Sequence, residues 1–346
     1  MDVKKLISWS KKNYSKLPWR ENRSVYSTWI SEVMLQQTTV YTVKSRLNSF
    51  LEKFPTVNNL ANATEEELLI AWKGLGYYQR AKNLKKAAEY IRDELDGKFP
   101  ETIEELQKIP GIGPYTSSAL ISIGMDQKAL AVDANLERVL ARFYCIQTFK
   151  GPKLKEEIQK QFESSKILNF NVLSWREFNE AVMDLGREIC QARRVDCLLC
   201  PIQKNCRAKE NGNPLSIPLT SLKMKKEKHE LDLIRLVSIN NGKIAVVKKQ
   251  KGEWLAGQYE LPTYTIRSTD RNLKQYPESD LKILENGPFL KTGITKYKIK
   301  NFYQTISSSK IRTLPNADVV KFLHIEDAKK KLSSASLKVL VTLEIS

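Results

Sequence analysis

Cys190, Cys197, Cys200 and Cys206 are separated by six, two and five residues and follow a stretch of helical periodicity. Four thiolates arriving from so short a segment can close on one metal centre, and a loop stapled in that way has little conformational choice left. All-thiolate ligation suits zinc or an iron–sulfur centre. A structural zinc ribbon reads as two C-x2-C pairs, each a tight knuckle, and only Cys197 and Cys200 make such a pair. One C-x2-C loop flanked by single thiolates fits a larger, cubic centre better, a 4Fe-4S cluster. Two disulfides or four buried thiols are the plain alternative, and nothing in the sequence points to secretion. Cys145, in the helical run from Glu137 to Ile146, is the unpaired fifth and reads as a core residue.

Charge narrows the partner. Fifty-seven Lys and Arg against 39 Asp and Glu give the 346-residue chain a net charge of +18. Such an excess favours a polyanion through phosphate neutralisation and counterion release, nucleic acid first and an anionic membrane second. The opening MDVKKLISWSKKNYSK has no apolar signal-peptide core, and no apolar run approaches the roughly 20 residues needed to span a bilayer. The expectation is a cytoplasmic, bacterial-type, nucleoid-associated protein without membrane partners, acting as a monomer.

The length predicts two domains. From about residue 28 to 207 the apolar residues recur at helical spacing. Thr64 with Glu67 and Thr102 with Glu105 read as capping boxes, and other helices are expected to start near Ser27–Thr28, Tyr78 and Asn135. From Leu231 the period changes, with LDLIRLVSI and KIAVVKK flanking Asn240-Asn241-Gly242, a hairpin signal. Lys209 to Glu230, rich in Pro and Lys, reads as a solvated linker. The reading is a mainly α region over 1–208, a linker over 209–230 and a smaller α/β domain over 231–346.

Pro110-Gly111-Ile112-Gly113-Pro114 separates two helical stretches and looks like a helix-hairpin-helix over about 104–124. Gly111 and Gly113 let the backbone turn and present amide hydrogens at a helix start, where a DNA phosphate is favoured. An ordinary αα-hairpin with Gly and Pro as punctuation reads equally well. Asp133 comes 18 residues after Tyr115, ahead of LERVLARF. At a helix start its carboxyl should be held down and ionised, a property plain N-capping shares. Glu32 sits among Trp29, Ile30, Val33 and Met34, where desolvation would raise its pKa; a solvated or salt-bridged glutamate is the alternative.

The cysteine spacing resembles the cluster loop (190–206) of the endonuclease III superfamily. SEVMLQQT, with Pro18-Trp19-Arg20 ahead of it, Gly74-Leu75-Gly76-Tyr77-Tyr78 behind it and FNEAVMDLG before the cysteines, resembles the adenine DNA glycosylase (MutY) family over roughly residues 15 to 215. The resemblance implies a helix-hairpin-helix glycosylase fold with a structural 4Fe-4S cluster, followed by a Nudix-like domain. It implies that Glu32 protonates adenine and that Asp133 is the nucleophile or charge stabiliser. Trp19, Arg20, Glu180 and Tyr115 would line the pocket for the flipped base, and Gln37 and Tyr77 would enter the duplex. For Tyr77 a core or capping aromatic is the bland alternative, and Arg80, Lys82, Lys85 and Lys86 are either phosphate contacts or a solvated helix face. Bifunctional relatives carry a Schiff-base lysine where this chain has Tyr115, so no lyase activity is expected.

In the second domain, Trp254 to Pro262 fits the family's Trp-containing turn, and no glutamate-rich Nudix box is found. The loop that contacts the oxidised guanine in the family is Ile294-Thr295-Lys296-Tyr297 here. Thr295 can donate a hydroxyl hydrogen bond and Lys296 can meet phosphate, but the loop histidine is absent, and neither His229 nor His324 reads as placed to replace it. The implied substrate is duplex DNA with adenine opposite 8-oxoguanine or guanine. A mismatch glycosylase removing thymine or another base, and a non-enzymatic metal-containing DNA-binding protein, are the alternatives.

Overall fold

The computed structural model describes residues 1–21, 23–164, 174–220, 228–278, 287–294 and 296–345. The chain divides into two compact units, Met1–Ala63 with Gln79–Leu222, and Thr64–Tyr78 with Lys223–Ser346. The first is helical and the second combines two sheets with helices, as the change of periodicity predicts.

The helical unit is built on α1 (Val3–Tyr14), α2 (Pro18–Glu21), α3 (Val25–Leu35), α4 (Gln79–Glu94), α5 (Ile103–Leu106), α6 (Pro114–Ala119), α7 (Ala134–Tyr144), α8 (Pro152–Ser164) and α9 (Trp175–Glu188), with three shorter helices between α3 and α4. One core joins α1, α7, α8 and α9 through Leu6, Leu136, Leu140, Phe162, Phe178 and Leu185. α3 is central: every residue from Ser27 to Met34 is buried, so its polar members must find partners inside. It begins at Val25, earlier than the sequence suggests, because Ser24 and Ser27 form the capping box themselves. At the hairpin, Gly111 takes φ 84°, and α6 passes into a π-turn over Leu120–Gly124. Such turns are frequent near functional sites.

Segment 209–230 is not solvated throughout. Ile217 is buried in the helical core, and Leu219 bonds to Thr148 and Lys150. An isoleucine among prolines is enough to dock a stretch whose average composition is polar. Lys223, Lys225 and Lys226 lie outside the described residues.

The second unit holds β1 (His229–Val237), β2 (Ile239–Asn240), β3 (Lys243–Lys248), β4 (Tyr259–Glu260), β5 (Thr263–Ser268), β6 (Phe289–Ile294), β7 (Tyr297–Thr305) and β8 (Val320–His324). One sheet runs β5-β1-β7-β6 with β1 and β7 parallel; the other runs β2-β3-β4 with β8 against β3. The Asn-Gly turn is present, with Asn241 and Gly242 both at positive φ. Yet the hairpin it closes is short, Ile239↔Ile244 and Asn240↔Lys243. The long strand before it leaves for the other sheet at Ser238, because Leu231 to Val237 bury side chains on both faces and need cover from two sides. The closing helices Ile325–Lys331 and Ser334–Thr342 complete a core with Val237, Ile244 and Val246.

Candidate active site and cysteine loop

Glu32 is 6% exposed. The hydroxyl of Tyr115, in the first turn of α6, donates to its Oε2. Burial drives the Glu32 carboxyl up to about 7; the Tyr115 hydrogen bond pulls the other way, while the charges of Asp133 and Glu180 add to the rise. Burial also raises the Tyr115 hydroxyl well above its ordinary value, so it stays protonated and remains a donor.

Asp133 caps α7. Its Oδ1 accepts from the amides of Asn135 at 2.9 Å and Leu136 at 2.7 Å, and its Oδ2 from the Asn135 side chain at 2.8 Å. A cap at a helix start predicts a lowered pKa for Asp133. The structure reverses the sign: burial raises it, outweighing the three hydrogen bonds and Arg138. The carboxylate loses more hydration than the cap returns.

Several positioning residues carry little or no signal in the sequence. Asn179, fully buried on α9, accepts from the amide of Ala131 at 2.8 Å and donates to Ala129 O at 3.1 Å and Trp175 O at 2.8 Å, fixing the segment that enters Asp133. The available signal was a lone amide on an otherwise apolar helix face. Gly186, also on α9, lies so close to α7 that a Cβ there would sit 2.6 Å from Asn135 Cβ. Arg138 donates to Gly186 O at 2.7 Å, to Asn135 Oδ1 at 2.8 Å and to Cys190 O at 2.8 Å. Asp133, the start of α7 and the cysteine loop are thus tied through one side chain.

Arg20 joins two acids on α9. Its Nη1 is 2.9 Å from Asp184 Oδ2 and its Nε 3.4 Å from Glu180 Oε2, and Arg23 grips Glu180 with both terminal nitrogens at 2.8 and 3.0 Å. Acids four apart on one helix repel, so Glu180 and Asp184 together call for a buried cation. Trp19 is buried beside them in sequence on α2.

Gln37 is exposed in left-handed backbone (φ 57°), and in the other unit Tyr77 is 62% exposed with φ 46°. Both are non-glycine residues held in sparsely populated conformations with their side chains outward. Tyr77 is therefore not a core aromatic. Gly113 is extended and caps α6 with no side chain. Arg80 is half-buried and donates to Val33 O at 2.6 Å and Met34 O at 2.9 Å, closing the end of α3. Lys85 likewise donates to Ala61 O at 3.0 Å.

In the α/β unit, Lys296 Nζ lies 3.2 Å from Asp270, which also accepts from the Tyr297 hydroxyl at 2.5 Å. These bonds hold the Asp270 carboxyl down at about 2. Thr295 lies outside the described residues. The sequence left no histidine near this loop, but strand pairing brings one. His229 aligns with Tyr297 in the β1–β7 register, its amide donates to Lys296 O at 2.9 Å, and its ring is 5.4 Å from that of Tyr297. Trp254 completes the cluster, 4.9 Å from Tyr297.

The four loop cysteines are free thiols within electrostatic reach of one another. Arg142, 2% exposed, donates to Cys190 Sγ at 3.2 Å and to Gln191 O at 2.7 Å, and backbone amides bond to the sulfurs of Cys200 and Cys206. Amides and a guanidinium directed at sulfur suit thiolates carrying negative charge. Among the described residues no group of three or more His, Cys, Asp or Glu side chains is arranged to hold a metal ion. Cys145 caps α7 in left-handed backbone, half-buried against the core.

The pattern of the HhH-GPD superfamily of base excision DNA repair proteins matches residues 30–165. An adenine DNA glycosylase of Buchnera aphidicola (subsp. Schizaphis graminum) is 31% identical over 331 residues, 94% of this chain and 90% of the relative. The chain belongs to the adenine DNA glycosylase family. The human adenine DNA glycosylase is 37% identical over 214 residues, covering 59% of this chain and 39% of the human one. The solved structure of a thermostable thymine-DNA glycosylase superposes with a TM-score of 0.52 at 26% identity, over 60% of this chain and 95% of that one. Family membership thus extends into the second unit, whereas the structural likeness covers a smaller share.

Proposed function

We propose that the chain hydrolyses the N-glycosidic bond of adenine mispaired with 8-oxoguanine or guanine, as a monofunctional DNA glycosylase of base excision repair. One observation carries the reading: a buried Glu32, poised near neutrality, lies in the same field as Asp133. Adenine leaves readily only if a ring nitrogen is protonated, and a glutamic acid with a pKa of about 7 can supply that proton at physiological pH. Asp133, held in place by the α7 amides, is suited to stabilise or capture the cationic sugar left behind. Tyr115 orients Glu32 and offers no amine for a Schiff base. A thymine offers no such basic ring nitrogen, so the Glu32 environment favours a purine.

The base must leave the stack to reach this site, and the outward Gln37 and Tyr77 are suited to filling the vacated space. Trp19, Arg20 and Glu180 are assigned to the pocket wall, and Gly111 and Gly113 to a phosphate. Lys296, with His229, Tyr297 and Trp254, forms the candidate reader of the opposing base in a Nudix-like domain, with His229 standing in for the absent loop histidine.

Cys190, Cys197, Cys200 and Cys206 would hold a 4Fe-4S cluster. It would staple the loop and leave no open coordination position, so Glu32 and Asp133 carry the chemistry. The test is incubation of cluster-bearing protein with duplexes carrying A:8-oxoguanine, A:G, T:G and A:T, followed by hot alkali. Cleavage of the first two is expected. No abasic site in any duplex defeats the reading, and strand breaks without alkali defeat the assignment of Tyr115.

A further inference from the structure

The β6–β7 pair carries a charge arrangement that the fold itself does not need. Its register places Phe289 opposite Phe302, Lys291 opposite Lys300 and Gly293 opposite Lys298. Paired residues share a face, so these six lie on one side of the sheet, while Ile299 and Asn301, both buried, lie on the other. Lys291 and Lys300 therefore meet directly across the strands, a like-charge juxtaposition that destabilises a sheet. Among the described residues neither ammonium has an acidic partner. Both instead lie over the half-exposed ring of Phe289, at 5.9 and 5.5 Å.

The same row continues through Asp232 and Arg267 on β1 and β5, but Asp232 is committed to Arg267 at 2.9 and 3.0 Å. Glu230, in register with Lys298, forms no ion pair with it among the described residues. Lysine on β6, an edge strand, also serves to deter pairing with another chain. That reason does not extend to Lys300 and Lys298, because β7 is flanked by β1 and β6.

We propose that this face is a backbone dock for duplex DNA, in which Lys291 and Lys300 share a phosphate run and Lys298 and Arg267 extend the track. An anion between the two ammoniums turns their repulsion into attraction, and an overall charge of +18 makes a polyanion the fitting occupant. Phosphate binding of this kind fixes the position of the duplex without reading sequence. The proposal rests on the reading of the chain as an enzyme of duplex DNA, and it adds a site on the sheet face opposite the one bearing Ile294 and Tyr297.

The experiment measures binding of fluorescent duplexes, one fully paired and one with an A:G mispair, by full-length cluster-bearing protein across a potassium chloride series. Replacing Lys291 and Lys300 together by Gln should flatten the log–log salt slope by about 1.8 on both duplexes, about 0.9 for each phosphate no longer neutralised. Lys300→Glu should weaken binding further yet raise the melting temperature at low salt, since it converts the pair into an attractive one; that gain also shows that the variant folds. An unchanged slope, while the parent protein binds, overturns the dock and spares the enzyme reading. A loss confined to the mispaired duplex overturns it too, by placing the lysines in base reading. Failure of the parent protein to bind either duplex removes the enzyme reading and the dock with it.

Discussion

Burial raises the pKa of both the Glu32 and the Asp133 carboxyl, yet the two differ in what surrounds them. Glu32 meets one hydroxyl, whereas Asp133 meets two amides and an amide side chain. As the proposed general acid Glu32 must be protonated, so the single-turnover rate should fall about tenfold per pH unit above about pH 7. The same shift has a stability consequence. A carboxyl raised from 4.5 to about 7 favours the folded state fully below its unfolded value, and that benefit is lost as pH rises through 7. Glu32→Gln should therefore leave the protein inactive but more stable at pH 8, by at most about 3 kcal/mol in urea unfolding. Equal or lower stability at pH 8 would falsify the assignment of burial as the dominant cause. Asp133→Asn should reduce excision by on the order of 10²–10³-fold while duplex binding persists; retained excision removes its role. SEVMLQQT and the residue ahead of LERVLARF single out these two carboxyls as candidates, but the direction of the Asp133 shift is not legible there. A cap is a local pattern, and the hydration lost around it depends on what packs over it.

At the scale of the element, the approach of α9 to α7 determines where Asp133 stands. Gly186→Ala would place a methyl 2.6 Å from Asn135 Cβ, against a helix start rather than a movable chain end. Overpacking of this kind costs about 1–3 kcal/mol. The expected outcome is a lower melting temperature and a slower single-turnover rate, with duplex affinity retained; an unchanged rate shows that α7 can yield. Asn179→Ala strips the buried backbone of 129–131 of its partner and should cost about 1–3 kcal/mol of stability. Periodicity located most of these helices, and the Thr64–Glu67 capping box forms as expected. Thr102 caps α5, but Glu105 meets its hydroxyl instead. The Asn-Gly turn was equally legible, whereas the departure of β1 to the other sheet was not, since a turn signal fixes neighbours and not the sheet a long strand joins.

Across the whole molecule, the cysteine loop is bound to the helical core through Arg138 and Arg142 rather than by its own residues alone. Cys200→Ser should remove a visible absorption band and weaken duplex binding, leaving far-ultraviolet circular dichroism largely in place; a full band in the variant rejects the ligand assignment. The features legible in the chain alone are chemical and local: the cysteine spacing, the two candidate carboxyls, the hairpin glycines, the shift from helical to alternating periodicity, and a charge suited to DNA. Long-range packing supplied the rest. It buried Glu32 under Tyr115, reversed the expected shift at Asp133, turned Arg80 inward to cap a helix, and brought His229 beside Tyr297 from a strand that begins 68 positions earlier. Composition and spacing travel with the chain, but desolvation and strand register arise only when distant segments exclude water from one another.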